Sequence, residues 1–298
     1  MKDCKHIFHY VIIFLLLMII FINSIIQKQK SINDLVIWEN IPKISDELNI
    51  PNILFQTHHT KSEIPQYIFD NINTYASGYK YVLLDDKDAL IFLNKYFSKC
   101  VVQKFKYLPK GPHKADLLRY CLLYIYGGVY MDIKIILIKK LDDIFINKTY
   151  FYSVIGHDNI QIFQGIIASP PRNKLFLELV CFIINTSYFS TLTNYHIFVK
   201  DLYNRLLRDC NNTPLHSGLN IGNLYKYYLF DERCSTETSN TCTKLDRYGF
   251  CCSVYDKNDK IFINRDPNYP WGKVNTIIQK PFRFFRNNIK KLFLKCKI

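Results

Sequence analysis

The stretch HKADLLRYCLLYIYGGVYMDIK, His113 to Lys134, is apolar almost throughout yet carries Asp116, Arg119 and Asp132 inside it. From Lys114 to Tyr126 there is neither Gly nor Pro. Leu117, Leu118, Cys121, Leu122 and Ile125 give near-continuous apolar cover, which predicts a helix buried on most sides. Asp116 and Arg119 share its one charged face as i,i+3 neighbours. Burying either one unpaired is costly, so the pair is either a structural ion pair or part of a ligand site. Gly127-Gly128 ends the helix, because glycine takes the left-handed cap conformation and lets backbone approach closely. VYMDIK then reads as a strand edge whose period of two sends Tyr130, Asp132 and Lys134 to one side and Met131, Ile133 and Ile135 to the other. The helix pair and the strand pair can thus converge on one crevice.

Upstream, IPNILFQTHHT joins an apolar run, Ile53-Leu54-Phe55, to polar Gln56-Thr57-His58-His59, the pattern of a buried strand whose C-terminal end opens onto a ligand site. Pro65 to Tyr75 is helical in pattern, YKYVLLDD is a second strand ending in Asp85-Asp86, and Asp88 to Phe97 is another helix. This β-α-β-α order predicts an α/β sheet with helices on its faces.

The 298 residues, 49% hydrophobic and 15% aromatic, suffice for one sizeable core and exclude a disordered chain. Ile7 to Ile26 is apolar but for His9, Tyr10, Asn23 and Ser24, and at about 1.5 Å per residue it spans a bilayer's hydrocarbon core. A membrane anchor is expected. A cleaved signal peptide is the rival, with Ile22-Asn23-Ser24 a poor cleavage site. Flanking lysines, Lys2 and Lys5 against Lys28 and Lys30, do not settle orientation. Asn147-Lys-Thr149, Asn185-Thr-Ser187 and Asn211-Asn-Thr213 are glycosylation acceptors if the body is luminal. Cys210, Cys234, Cys242, Cys251 and Cys252 cluster, which favours at least one disulfide and an oxidising compartment. Zinc is the alternative, against which stands the lack of paired Cys-x-x-Cys spacing. Cys121 and Cys181 read as core residues. Of the net charge of +14, 7 basic residues fall in Lys280 to Ile298, KPFRFFRNNIKKLFLKCKI. That tail is a solvated helix, a membrane-surface segment or a nucleic-acid contact; no nucleic-acid-binding motif accompanies it, so nucleic acid is not the expected partner.

YKYVLLDDKDALIFLNKYF, KADLLRYCLLYIYGGVYMDIK and the entry strand IPNILFQT together resemble the glycosyltransferases of family 32, which include initiating α-1,6-mannosyltransferases, and more distantly the glucosyltransferase core of large clostridial toxins. The resemblance runs from about Ile50 to Leu141 and rests on Asp-x-x-Arg-Tyr, Gly-Gly-x-Tyr-x-Asp and their spacing. FQGIIASPPRNKLFLELV continues it, with Gly165 and Pro170-Pro171 fitting, whereas Thr193-Asn194-Tyr195 stands where the family has Thr-Gly-Pro.

The resemblance implies a GT-A fold, a Rossmann-like mixed sheet with helices on both faces, here preceded by one N-terminal transmembrane helix. The implied division is residues 1–26 cytoplasmic tip and anchor, 27–49 stem, 50–275 catalytic domain and 276–298 basic tail. It implies a retaining hexosyltransferase that uses a nucleotide sugar, with a glycan, lipid or protein as acceptor. The setting is a single-pass type II protein in the Golgi or another secretory-pathway lumen. Donor binding falls to Gln56, Thr57, Asp116, Arg119, Gly127, Gly128, Tyr130, Asp132 and Trp271, and catalysis to Asp132, Lys134 and Arg119. Asn264, Asp266 and Trp271 resemble a late loop that closes over the leaving group. An Asp-x-Asp motif would hold Mn²⁺ on the diphosphate, with Asp132 its first residue and Asp266 a further candidate ligand. Here the second motif aspartate is Lys134, which puts the metal in doubt and opens a second reading, an inactive nucleotide-sugar-binding descendant.

Overall fold

Strand β1 (Ile53–Thr57) lies second from one edge of the sheet, and its C-terminal end sets the place of the site. The computed structural model describes residues 30–42, 49–109, 111–236, 251–257 and 259–263, with 12, 13, 15, 16 and 18 from the N-terminal stretch. All described residues belong to the first of two compact units, Met1–Asp266. The second, Pro267–Ile298, lies outside them with the basic tail and Trp271; Asn264 and Asp266 lie outside them too.

After β1 come α1 (Gln66–Tyr75), β2 (Lys80–Leu84), α2 (Asp86–Tyr96), α3 (Lys99–Tyr107), α4 (Gly111–Tyr126), β3 (Gly128–Met131), β4 (Ile136–Leu137) and α5 (Leu141–Ile144). The second half contributes β5 (Phe151–Ile155), β6 (Ile162–Ser169), α6 (Lys174–Asn185), α7 (Tyr188–Thr193), α8 (Ile197–Asp209), β7 (Gly218–Ile221), β8 (Lys226–Ser235), β9 (Cys251–Asp256) and β10 (Asp259–Ile263). Ten strands form one sheet in the order β2-β1-β3-β6-β5-β8-β9-β10-β4, with β7 paired to β8. The first three are parallel; β6 runs antiparallel to β3 and β5, and β5 is parallel to β8. The expected α/β mixed sheet is therefore present. Because the chain leaves β1 for β2 on one side and later enters β3 on the other, a crevice opens at the carboxyl ends of β1 and β3.

Alternation along the strands divides the core into two layers. Phe55, Tyr130, Ile167 and Phe151 pack with α2, α3, α4, α6 and α8. Leu54, Val129, Met131, Ile166 and Val154 pack with Ile72 of α1 and Leu141 and Ile144 of α5. Helices thus cover both faces, as such near-continuously apolar strands require. Helix α2 starts two residues before the expected position because Asp85 caps it, accepting from the backbone N–H groups of Lys87 and Asp88 while Asp88 accepts from the Asp85 N–H.

Gly127 and Gly128 have φ of 64° and 92°. A Cβ on Gly127 would meet the Pro171 nitrogen at 2.5 Å and one on Gly128 the Ile53 carbonyl oxygen at 2.7 Å. Both therefore make the tight return from α4 into β3. They stand at the end of β3 opposite Asp132, which corrects the expectation that they touch the donor: their role is conformational.

Among the described residues no helix is long and apolar enough to cross a membrane. The expected anchor, Ile7 to Ile26, lies outside the described residues except for Ile12, Ile13, Leu15, Leu16 and Met18, which are helical. Cys234 and Cys252, opposite each other in the β8–β9 ladder, form a disulfide, while Cys210 is a free buried thiol. Cys121 is buried in the core as expected, and Cys181 is only partly buried. Asn147, Asn185 and Asn211 are all exposed.

Gly128→Ala should destabilise the protein by about 1–3 kcal/mol, since the substitution imposes a left-handed residue and a backbone clash together. Urea denaturation of the variant beside the natural protein measures it, and an unchanged midpoint would contradict the close approach to Ile53.

Candidate active site

Helix α4 brings Asp116 and Arg119 beneath the end of β3 because its apolar residues hold it among α2, α3, α6 and the sheet. Arg119 is only 4% exposed and Asp116 7%. The guanidinium joins three elements. Its Nη2 lies 3.3 Å from Asp116 Oδ1 on its own helix and 3.3 Å from Asp132 Oδ1 after β3. Its Nη1 donates to the backbone carbonyl of Gln164 in β6, and its plane lies 4.5 Å over the ring of Tyr130. The Asp116–Arg119 pair is thus a buried ion pair that also lines the cavity.

The strand that carries Asp132 is shorter than its alternation suggests. β3 ends at Met131, and residues 132–135 form a turn, with the Ile135 N–H donating to the Asp132 carbonyl at 3.1 Å and the Asp132 N–H to the Gly165 carbonyl at 2.6 Å. Period two therefore does not extend to Lys134. The turn achieves the same end by another route, setting Lys134 Nζ 3.4 Å from Asp132 Oδ2. Tyr130 donates to Asp132 Oδ1 at 3.3 Å, and its hydroxyl lies 2.9 Å from Thr57 Oγ1. Gln56 is fully buried: its amide donates to the Asp132 carbonyl at 3.3 Å and accepts from the Tyr81 hydroxyl at 2.9 Å. It fixes the turn from below rather than facing the cavity as expected.

These residues open onto a cavity of about 620 Å³ lined by Thr57, Asp116, Arg119, Tyr130, Asp132 and Lys134. Its other walls include His58 and His59 after β1, His113 and Lys114 of α4, Tyr195, His157, Gln164 and Glu232. Tyr195, in the segment that departs from the resemblance, accepts through its carbonyl from His113 Nε2 at 3.0 Å. Sequence reasoning missed Gln164, His157 and Glu232, which lie outside the best-matching stretch. Only the topology brings them to the edge where β1 and β3 end.

Burial pushes the Asp116 carboxyl up to about 6; Arg119 opposes the rise, Asp132 adds to it and Lys134 opposes it. Burial also holds the His58 imidazole below its ordinary value.

Two groups of side chains among the described residues bring potential metal-ligand atoms within 4.8 Å of one another. One set is His58, His59 and Glu63, of which the two histidines line the cavity. The other set, His157, Glu232 and Cys234, is compromised because the Cys234 sulfur is in the disulfide. At Asp132 the donor set does not suit a hard divalent ion. One carboxylate oxygen takes Arg119 and Tyr130, the other faces the Lys134 ammonium, and the position of a second carboxylate holds that cation instead. Asp266, the other candidate ligand, lies outside the described residues.

Residues 62–151 match the model of a family described as a glycosyltransferase sugar-binding region containing a DXD motif. The chain is 31% identical over 108 residues to the initiation-specific alpha-1,6-mannosyltransferase of Saccharomyces cerevisiae, covering 36% of this chain and 20% of that one. It is 28% identical over 134 residues to the uncharacterized glycosyltransferase L373 of Acanthamoeba polyphaga mimivirus, covering 43% and 53%. The chain thus spans about a fifth to a half of the length of these curated relatives. Among solved structures it is similar to the PaToxG glycosyltransferase, with a TM-score of 0.41 and 14% identity over 53% of this chain and 69% of that chain. The resemblance read from the sequence is borne out across the segment that holds α4, β3 and the Asp132 turn.

The Asp116 carboxyl should titrate with a midpoint near 6 when followed by carboxyl carbon NMR. Its native pKa lies above the ordinary 3.8, so the folded state holds the proton more tightly. The stability this group contributes is therefore full below pH 4 and lost as pH rises through 6. Asp116→Asn should flatten that part of the stability profile, and a midpoint near 4 would contradict it.

Proposed function

We propose that the chain is a glycosyltransferase that moves a hexosyl group from a nucleoside-diphosphate sugar to a hydroxyl acceptor. The observation that carries this reading is the network of Asp116, Arg119, Asp132 and Lys134 at the carboxyl ends of β1 and β3, inside the segment that matches the sugar-binding family region. A GT-A type catalytic domain over residues 50–275 and retention at the anomeric carbon belong to the same reading. Asp116 and Asp132 accept hydrogen bonds from donor hydroxyls, while Tyr130, itself braced by the Thr57 hydroxyl, holds Asp132 in place.

Breaking the anomeric C–O bond leaves negative charge on the departing diphosphate, and a cation fixed where that charge appears lowers the barrier directly. Arg119 offers a rigid donor fork whose other arms are anchored on Asp116, Asp132 and the Gln164 carbonyl. Lys134, held by Asp132, supplies the second cation. In this proposal the enzyme works without a divalent ion at the Asp132 turn. The inactive alternative, a nucleotide-sugar-binding descendant, draws on the same substitution at Lys134 and would keep the same charge network, so turnover decides between the two.

We further place the catalytic body in the secretory lumen behind a type II anchor, with a glycan, lipid or protein acceptor. Support comes from the length of Ile7 to Ile26, the Cys234–Cys252 disulfide and the exposure of all three acceptor asparagines.

Screening the full chain in detergent with UDP- and GDP-sugars should reveal turnover that persists in EDTA. Lys134→Ala should lower kcat by about 10²- to 10³-fold with a smaller change in donor affinity, because the diphosphate gains charge only as the bond breaks. Complete loss in EDTA with rescue by Mn²⁺ would remove the lysine reading, and absence of turnover with every donor would favour the inactive one. Separately, the expressed protein should stay with membranes through an alkaline carbonate wash and gain mobility on glycosidase treatment. A soluble, unglycosylated product would refute the anchor and the luminal placement together.

A further inference from the structure

The cavity has a second wall built by the half of the sheet that the sequence match does not reach. From β3 the sheet continues through β6 and β5 to β8. Ile155 pairs with Ile162 of β6 and with Asp231 of β8, so Glu232 stands just past the end of β5, on the edge where Asp132 follows β3. Three steps at about 4.8 Å put the two strands roughly 14 Å apart. That gap has room for the transferred hexosyl group and for the ring that receives it.

Glu232 is buried, with its side chain 4% exposed, yet it lines the cavity. Its Oε2 accepts from the His157 backbone N–H at 3.3 Å and lies 3.5 Å from His157 Nδ1, while the His157 side chain is 53% exposed. Its neighbours along the strand do not share this place. Asp231 and Arg233 pair with each other at 2.7 Å, and alternation sets Glu232 on the opposite face. Two residues on, the Cys234–Cys252 disulfide ties β8 to β9.

A carboxylate is an acceptor-only group, so at this wall it is matched to ligands that offer O–H donors and repels phosphate. The two walls therefore differ in kind: Arg119 and Lys134 suit a diphosphate, Glu232 suits hydroxyls. We propose that Glu232, oriented by His157, binds a hydroxyl of the acceptor, and that the acceptor presents a neutral polyhydroxylated ring rather than an anionic headgroup at this point. The proposal rests on the hexosyl-transfer reading.

The test uses the full chain in detergent, the donor identified by the screen, and two kinds of acceptor probe: methyl glycosides of glucose, galactose and mannose, and inositol 1-phosphate. Glu232→Gln keeps the shape but removes the charge. It should raise KM for the methyl glycoside by about 10- to 100-fold, the range for losing a hydrogen bond to a charged group, with donor Kd within about twofold of natural. His157→Ala should shift acceptor KM in the same direction, and inositol 1-phosphate should be the poorer acceptor. If Glu232→Gln does not fold, the His157→Ala result decides. An unchanged acceptor KM in the folded variants, or preference for inositol 1-phosphate, overturns the proposal while leaving hexosyl transfer intact. A natural protein that binds no nucleotide sugar overturns both.

Discussion

A guanidinium removed from water must have its donors satisfied, and at Arg119 that demand organises the molecule. Its partners are Asp116 on α4, Asp132 after β3 and the Gln164 carbonyl in β6. One side chain thus locks the buried helix to two neighbouring strands at the edge where the site opens. The arrangement works only if all of these positions hold together: removing one partner of a buried ion pair typically costs about 3–5 kcal/mol, because the other charge is left without compensation. Asp116 is the strained member. Burial raises its pKa, and only the nearby cations keep the carboxylate competent as an acceptor near neutral pH.

The sequence carried the first half of this architecture openly. The unbroken apolar cover of α4, the glycine pair after it and the switch from apolar to polar at the end of β1 each have a local physical cause, and each appears in the structure. Alternation places Asp132 and Lys134 on one side, and the two do lie together, although the turn at 132–135 rather than strand pairing sets them there. Alternation predicts facing only while ladder pairing lasts, and β3 stops at Met131. The glycines misled for a related reason. Close backbone approach was legible, but whether a ligand or Pro171 and Ile53 made that approach depended on which end of β3 they occupied. Gln56 likewise reads as a polar residue at a ligand-facing strand end, and only three-dimensional placement reveals it holding the turn from beneath.

The second wall was not legible at all. Glu232 and His157 are 75 residues apart in sequence and reach the cavity through parallel pairing of β5 with β8, a contact that no local pattern announces. Local periodicity encodes which face of a strand is buried. It does not encode which strand lies next to which, and a mixed sheet places its later strands by crossovers whose register is fixed only by packing. The half of the site built from contiguous sequence therefore matches known families, while the half assembled from distant strands carries little sequence signal.

The substitution at Lys134 is less drastic in electrostatic terms than it is in chemical ones. In the pattern that the resemblance implies, a second carboxylate and a divalent cation together bring one net positive charge to the diphosphate end of the cavity. A single ammonium brings the same charge. Under the hexosyl-transfer proposal, the field that a departing diphosphate would feel is thus the same to first order while the ligand chemistry differs entirely. What differs is rigidity: a metal fixes several oxygens at once, whereas an ammonium on a four-carbon stem must be steered by its surroundings. Asp132 is placed to do that steering, at 3.4 Å from Nζ, and is itself held by Arg119, by the Tyr130 hydroxyl and, through its carbonyl, by Gln56. The proposed lysine-based site depends on this convergence of groups on one aspartate, because without them the charge would be present but not positioned.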